Sequence, residues 1–257
     1  MTNREIGAIE KEAYALLEQK DYEQAFKLFR KAGTLYKDEG EHKSASLMFA
    51  SAGSCWARIS GEKAFLNAAE SYSEAALEAK NAEDFAYAAL LYKFAAINYE
   101  RDLEFINFSE SFYASRECFR KFLGISMFTP GRVKQIRGNS EVSVNKAARF
   151  LHWLWLSFSY FFWGYGERPF RTLFFAVFVI FGFALAYTQS YLLYAGELVK
   201  PGLSNAVYFS MITFTTVGFG DFVPVGPAKA VAMLEAFCGI FTVSLLVVGL
   251  SRKYLRI

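Results

Sequence analysis

The chain has 257 residues, of which 54 % are hydrophobic, 18 % aromatic and 21 % charged, and its formal net charge is +3. This composition indicates a chain with apolar membrane segments and a separate charged part. The small net charge gives no indication of a nucleic-acid partner.

The first 124 residues are predicted to form a cytoplasmic domain of amphipathic helices. An aromatic residue followed three positions later by Ala or Ser recurs along this part, at intervals of 20, 23, 20 and 20 residues. The aromatic positions are Phe29, Phe49, Tyr72, Tyr92 and Phe112. One helix plus one turn has this length, so two of them form a helical hairpin of about forty residues.

Six antiparallel helices are expected, at 6–20, 22–37, 42–59, 63–80, 84–100 and 104–122. The repeat resembles tetratricopeptide repeats and the helical domains of SNAP-type adaptors. The resemblance implies an α-solenoid that binds a protein or ligand partner or packs against copies of itself. A cap that only stabilises the assembly is the alternative.

Residues 125–148 are predicted to be a linker, because 129–143 is polar and contains Pro130-Gly131 and Gly138-Asn139. Between residues 129 and 171, seven Lys and Arg residues stand against two Glu residues. By the positive-inside rule, this excess of positive charge places the segment and the N-terminus in the cytoplasm.

Residues 149–166 are predicted to form an interfacial helix on the inner leaflet. The apolar part, 150–165, contains Trp153, Trp155 and Trp163 but is short for a membrane span. Trp-rich segments favour the boundary between headgroups and acyl chains. The alternative is a third span, which would place the N-terminal domain outside the cell against the charge rule.

Two segments of the remaining chain, 167–257, are predicted to cross the membrane. Residues 172–196 contain no charge and form the outer helix. Residues 230–251 contain Glu235 as their only charged side chain and form the inner helix. Arg252, Lys253 and Arg256 follow it, which places the C-terminus in the cytoplasm as well.

A short re-entrant helix is expected between the two spans. Pro201-Gly202 interrupts the chain, Ser204 is the expected N-cap, and 205–214 is too short to cross a membrane. The helix leads into Thr215-Thr216-Val217-Gly218-Phe219-Gly220-Asp221, whose two glycines admit left-handed backbone conformations. Irregular backbone at membrane depth is tolerated only where protein or water surrounds it.

This heptapeptide between two apolar segments resembles the selectivity filter of two-span potassium channels. The resemblance implies an all-α fold, in which the N-terminal solenoid precedes a two-span pore module with a re-entrant pore helix. It implies a homotetramer in the lipid bilayer, with K⁺ as the permeant ion at the centre of the four subunits. The carbonyls that bind K⁺ would be those of Thr216, Val217, Gly218 and Phe219.

Further residues are expected to support this filter. Thr215, Gly220 and Asp221 flank the ion-binding positions, and the resemblance places the aspartate behind the filter. Ile212 stands where the family has an acidic partner for that aspartate, which leaves Tyr208 as the possible donor. For Glu235 we expect a structural hydrogen bond behind the filter, and a role in the ion path is the alternative.

The inner helix is expected to contain the gate. Gly239 matches a hinge glycine of the family, and close helix packing is the alternative reading of this glycine. Val243, Val247 and Ser251 follow at helical spacing and are predicted to line the inner pore.

The sequence therefore predicts a multi-pass potassium channel of the cell membrane, gated or modulated through residues 1–124. No apolar helix carries an arginine at every third position, so no voltage sensor is expected. No phosphate loop or hydrolase motif occurs, so we expect neither an enzyme nor a cofactor. The alternatives are a membrane-anchored adaptor with a vestigial pore and a less selective cation channel. The gating stimulus stays open.

Overall fold

The computed structural model describes residues 3–59, 63–128, 134–137, 140–143 and 145–254. The chain divides into two compact units, Met1–Phe158 and Ser159–Ile257, here called the N-terminal unit and the C-terminal unit.

Six helices in the N-terminal unit match the six predicted ones. Their bounds are α1 Asn3–Glu18, α2 Tyr22–Asp38, α3 His42–Trp56, α4 Ala64–Asn81, α5 Phe85–Arg101 and α6 Phe105–Phe128. Each helix packs mainly against its neighbours in the sequence. Helix α6 continues past the expected end at 122 and into the predicted linker, since no proline occurs between 122 and Pro130.

The turns between these helices repeat with the same spacing as the aromatic pattern. One residue in each turn has left-handed backbone, with φ angles between 59° and 79°. These residues are Lys20, Gly40, Lys63, Glu83 and Leu103, which are 20, 23, 20 and 20 positions apart. The sequence repeat is therefore a structural repeat of one helix and one left-handed turn.

Small residues at fixed positions set the distance between neighbouring helices. A Cβ atom added to Gly33 would lie 2.8 Å from the Phe49 ring, and one added to Gly53 would lie 3.0 Å from the Tyr72 ring. The corresponding pairs further along the chain, which share hydrophobic clusters, are Ala76 with Tyr92 and Ala96 with Phe112. Phe49 and Tyr72 thus each pack against a glycine of the preceding helix.

An antiparallel hairpin lies within the segment that was predicted to be a linker. It consists of β1, Lys134–Arg137, and β2, Ser140–Ser143. The predicted turn residues Pro130-Gly131 and Gly138-Asn139 lie outside the described residues.

Helix α7, Lys146–Trp163, has a continuous apolar stripe exposed along its length. The stripe consists of Phe150, Leu151, Leu154, Trp155, Phe158 and Phe161. This spacing of three or four residues places large apolar side chains on one side of the helix, as in helices that lie at a membrane interface.

The first half of α7 is bound to α6 inside the N-terminal unit. The buried side chain of Arg149 donates a hydrogen bond from Nη1 to the Ser126 carbonyl, at 3.0 Å. The His152 ring packs edge-on against Phe119, with 5.4 Å between the ring centroids. Burial, and then the charge of Arg116, lowers the pKa of His152.

The C-terminal unit contains three helices and a small sheet. Helix α8 spans Pro169–Thr188, α9 spans Leu203–Phe214 and α10 spans Ala228–Tyr254. Among the described residues, α8 and α10 are the helices long and apolar enough to cross a membrane, and α9 is shorter. This arrangement confirms the predicted order of a long, a short and a long apolar helix.

The small sheet is an addition to a mainly helical unit and was not predicted from the sequence. It is antiparallel, has the order β4-β3-β5, and consists of β3 Leu192–Tyr194, β4 Glu197–Val199 and β5 Phe222–Pro224. Ala195 and Gly196 join β3 to β4 and have φ angles of 51° and 86°, as a two-residue hairpin turn requires. Strands of three residues are too short to show an alternating pattern in the sequence.

The packing of Gly33 against Phe49 can be tested by adding one methyl group. We expect Gly33→Ala to destabilise the contact between α2 and α3, because overpacking a core costs about 1–3 kcal/mol. Faster hydrogen–deuterium exchange of the α2 and α3 amides, measured by mass spectrometry, would report this loss.

Gly7→Ala in α1 is the matched control, since nothing lies within 4 Å of the added Cβ. That change should slow exchange in α1, because alanine is favoured over glycine in a helix by about 0.5–1 kcal/mol. Equal effects of the two substitutions would contradict the packing described for Gly33.

Candidate functional site

The segment after α9 is bound to the last turn of that helix through its backbone. The N–H groups of Val217 and Gly218 both donate to the Ile212 carbonyl, at 2.9 and 3.2 Å. The N–H of Thr216 donates to the Thr213 carbonyl at 3.0 Å. Helix α9 ends at Phe214, directly before this segment. It begins at Leu203 with Gly202 as the N-cap residue, whereas Ser204 was the expected N-cap.

Left-handed backbone alternates along the segment. The φ angles of Thr216, Gly218 and Gly220 are 60°, 53° and 80°, whereas Val217 and Phe219 have no positive φ. Such alternation turns successive peptide units so that like groups face one side. Within the described chain, no hydrogen bond is donated to the carbonyls of residues 216–219.

Thr216 is the unusual member of this series. A β-branched residue with positive φ is an outlier that costs about 1–3 kcal/mol, and such conformations concentrate at functional sites. At Gly218 and Gly220 nothing lies within 4 Å of an added Cβ. Within one chain, glycine is therefore favoured at these two positions by the left-handed backbone and not by a lack of space.

The side chains between these residues have no cover in a single chain. Val217 is 54 % exposed and Phe219 is 71 % exposed. Large apolar side chains this open next to unengaged carbonyls make the segment a candidate contact surface.

Glu235 of α10 is hydrogen-bonded to side chains of α8 and α9 and so joins these three helices. Its side chain is 0 % exposed. Tyr187 of α8 donates a hydrogen bond to Oε2 at 2.7 Å, and Ser210 of α9 is hydrogen-bonded to Oε1. Ser210 Oγ also lies 2.8 Å from the Ile180 carbonyl, and its single proton serves one acceptor at a time.

Tyr187 and Ser210 were not among the predicted site residues. Both apolar helices contain several hydroxyl side chains, and nothing in the sequence marks these two as partners of the carboxylate. The hydroxyl of Tyr208, the expected donor to Asp221, lies beside the Asp221 carboxylate. The ring of Tyr208 also meets Phe222 of β5 edge-on, with centroids 6.2 Å apart.

Gly239 brings α10 against the end of α9. A Cβ added there would collide with the Phe214 carbonyl oxygen and lie 2.9 Å from its carbonyl carbon. Phe214 immediately precedes Thr215, so the close approach of the two helices fixes where the segment begins. This geometry favours close packing at Gly239, and the hinge stays a prediction.

The remaining predicted positions lie further along α10. Val243 and Val247 are exposed and Ser251 is half-buried. The structure gives them no common partner within the described residues, so their place beside a pore stays a prediction.

Gly239→Ala should destabilise the protein by about 1–3 kcal/mol or more, because backbone atoms of Phe214 must move to admit the methyl group. Gly182→Ala in α8 is the matched control, since nothing lies within 4 Å of its added Cβ. Thermal unfolding of the purified protein in detergent compares the two. A Gly239→Ala protein as stable as Gly182→Ala would show that this packing is absent.

Comparison with known proteins finds a family that is similar to the C-terminal unit. Residues 173–256 match the family described as ion channel, a stretch that includes the heptapeptide and nearly all of α8 and α10. No curated protein and no solved structure matches the chain. Residues 173–256 are therefore similar to ion channels, and the length and composition of α8 and α10 suit helices that cross a membrane.

Proposed function

We propose that this protein is a potassium-selective, homotetrameric ion channel whose opening is modulated by its N-terminal unit. The observation that carries the proposal is the alternating backbone of residues 216–220, with carbonyls left unengaged in the described chain. A row of such carbonyls can replace the hydration shell of K⁺. The Thr216 hydroxyl adds one further oxygen.

The tetramer follows from what one chain lacks. A single chain supplies one row of carbonyls, whereas a dehydrated cation must be surrounded by oxygens. Four copies around an axis provide this shell. They also give Val217 and Phe219, both exposed in one chain, neighbouring subunits to pack against.

The position of α9 favours a cation in the same place. The helix ends at Phe214, directly before the segment, and its carboxyl end carries a partial negative charge. In a fourfold assembly, four such ends would face the region below the filter.

A gate in α10 is part of the proposal. In the closed state the inner helices would converge, and the apolar side chains of Val243 and Val247 would exclude water near Ser251. The helix ends with Arg252 and Lys253 in its last turn, which suits a cytoplasmic end. Gly239 is the proposed hinge, although its contact with Phe214 limits bending there.

Helix α7 is the proposed route from the N-terminal unit to the pore. Arg149 binds α6 within the N-terminal unit. Within the C-terminal unit, Arg171 of α8 donates from Nη1 to the Tyr160 carbonyl at 2.9 Å, and its guanidinium lies 4.8 Å from the Tyr160 ring centroid. Phe162 also packs edge-on against Phe175 of α8, with 4.2 Å between the ring centroids. Contacts of α7 with α6 in one unit and with α8 in the other support this proposed route.

Potassium selectivity is tested by flux in liposomes. The purified protein should pass K⁺ and Rb⁺ far better than Na⁺. Gly218→Ala should abolish this flux, because alanine at a φ of 53° strains the backbone that aims the carbonyls.

Gly226→Ala is the matched control, since Gly226 has a φ of 54° and equally open surroundings but follows the filter. Its selectivity should equal that of the parent protein. Equal Na⁺ and K⁺ flux in a folded tetramer would indicate a less selective cation channel. A folded tetramer without any flux would favour a membrane-anchored adaptor.

Modulation by the N-terminal unit is tested by weakening the contact between α6 and α7. Arg149→Met removes the hydrogen bond to Ser126 and keeps a side chain of similar length. Because a regulator must interact differently with the open and closed states, this change should shift the open probability. Single-channel recording should show that shift with an unchanged K⁺ to Na⁺ permeability ratio.

Lys146→Met is the control, since it removes a positive charge from the exposed start of the same helix. Removing residues 1–128 gives the complete loss of α1–α6 for comparison. If neither Arg149→Met nor the truncation alters gating, the N-terminal unit is an assembly cap or an adaptor domain.

A further inference from the structure

A cavity of about 710 Å³ lies inside the N-terminal unit, between α3, α4, α5 and α6. This volume falls in the range of about 300–1,000 Å³ that is typical of sites for small organic molecules.

The walls of the cavity are aromatic and its inner surface is apolar. Tyr87, Phe112, Phe119 and Phe122 line it and are all half-buried. The inner polar groups are already used, because Ser46 donates to the Ala75 carbonyl at 2.8 Å and Ser115 to the Ala89 carbonyl at 2.7 Å. The interior therefore suits the apolar body of a ligand.

The rim of the cavity is positively charged. Lys43, Lys93 and Arg116 line it and are exposed, and within the described chain none of them forms an ion pair. Arg116 is placed over the Phe112 ring, 5.1 Å from its centroid. The single carboxylate of the lining, Asp84, caps α5 by accepting from the Tyr87 N–H at 3.0 Å.

We infer that this cavity binds a small organic anion, with its apolar, ring-sized body between the aromatic walls and its charged group at Lys93 and Arg116. The lining has three cationic side chains and one carboxylate, that of Asp84. This excess of positive charge attracts an anion and repels a cation of the same shape. The aromatic faces stack on a flat body.

The site has a direct contact with α7. Phe119 lines the cavity on one side and packs against His152 on the other. A ligand that moves Phe119 therefore acts on α7. This regulatory consequence rests on the proposed channel function, whereas the binding site itself does not.

The test is isothermal titration calorimetry on the full-length protein in lipid nanodiscs, with empty nanodiscs as the blank. The probes share one naphthalene body: 2-naphthoate, neutral 2-naphthol and cationic 2-naphthylmethylammonium. We expect 2-naphthoate to bind about tenfold more tightly than 2-naphthol, since hydrogen bonds to charged groups are the stronger ones. The cation should bind most weakly.

Two variants separate the charged group from the body of the ligand. Lys93→Glu should weaken 2-naphthoate about tenfold and leave 2-naphthol unchanged, whereas Lys31→Glu on α2, outside the cavity, should change neither. Ala86→Trp, at an exposed lining position, should fill the cavity and abolish binding of both probes.

Equal affinity for the three probes, no saturable binding of 2-naphthoate, or binding that both variants leave intact would overturn the inference. Calorimetry requires no ion flux, so a non-conducting protein that still binds 2-naphthoate would contradict the proposed function alone. A channel that conducts K⁺ without binding 2-naphthoate would contradict this inference alone.

Discussion

The C-terminal unit depends on a buried carboxylate that is satisfied from two neighbouring helices. Glu235 of α10 meets Tyr187 of α8 and Ser210 of α9 in apolar surroundings. An isolated polar group in such a place costs several kcal/mol, so only an arrangement that keeps all three side chains together is stable. The hydrogen bonds thereby fix the positions of the three helices relative to one another, which apolar packing in a lipid environment does only weakly.

The geometry of residues 215–221 follows from this arrangement. With α10 fixed against α9, Gly239 lets the two helices approach until Phe214 touches the inner helix. The last turn of α9 then holds the next residues through the Ile212 carbonyl. On the other side, β5 pairs with β3 and fixes the chain after Asp221. A segment with strained, left-handed residues persists because both of its ends are determined by rigid elements.

The N-terminal unit is built on a different principle, the repetition of one small contact. The rings of Phe49 and Tyr72 occupy the space that glycine leaves on the preceding helix, at Gly33 and Gly53. A buried carboxylate also joins two of these helices, because Glu78 Oε2 of α4 lies 2.7 Å from His42 Nδ1 of α3. Contacts between sequence neighbours add up along such an array, so a cavity can remain between helices without loss of the fold. The same helices therefore leave room for the charged-rimmed cavity beside Arg116.

Much of the fold was determined by the sequence alone, because its determinants are local. Helical periodicity, the spacing of 20 or 23 residues, and long uncharged stretches all act within one helix and its turn, and they predicted the helices of both units. The conformation of the heptapeptide beginning at Thr215 could be predicted for the same reason, since its two glycines favour left-handed backbone. The sheet around β3, the partners of Glu235 and the contact of Gly239 with Phe214 were decided only by tertiary structure. Each of these three features joins residues that are far apart in the sequence. Which of the many hydroxyls in an apolar helix bonds to Glu235 is decided only by how the helices pack.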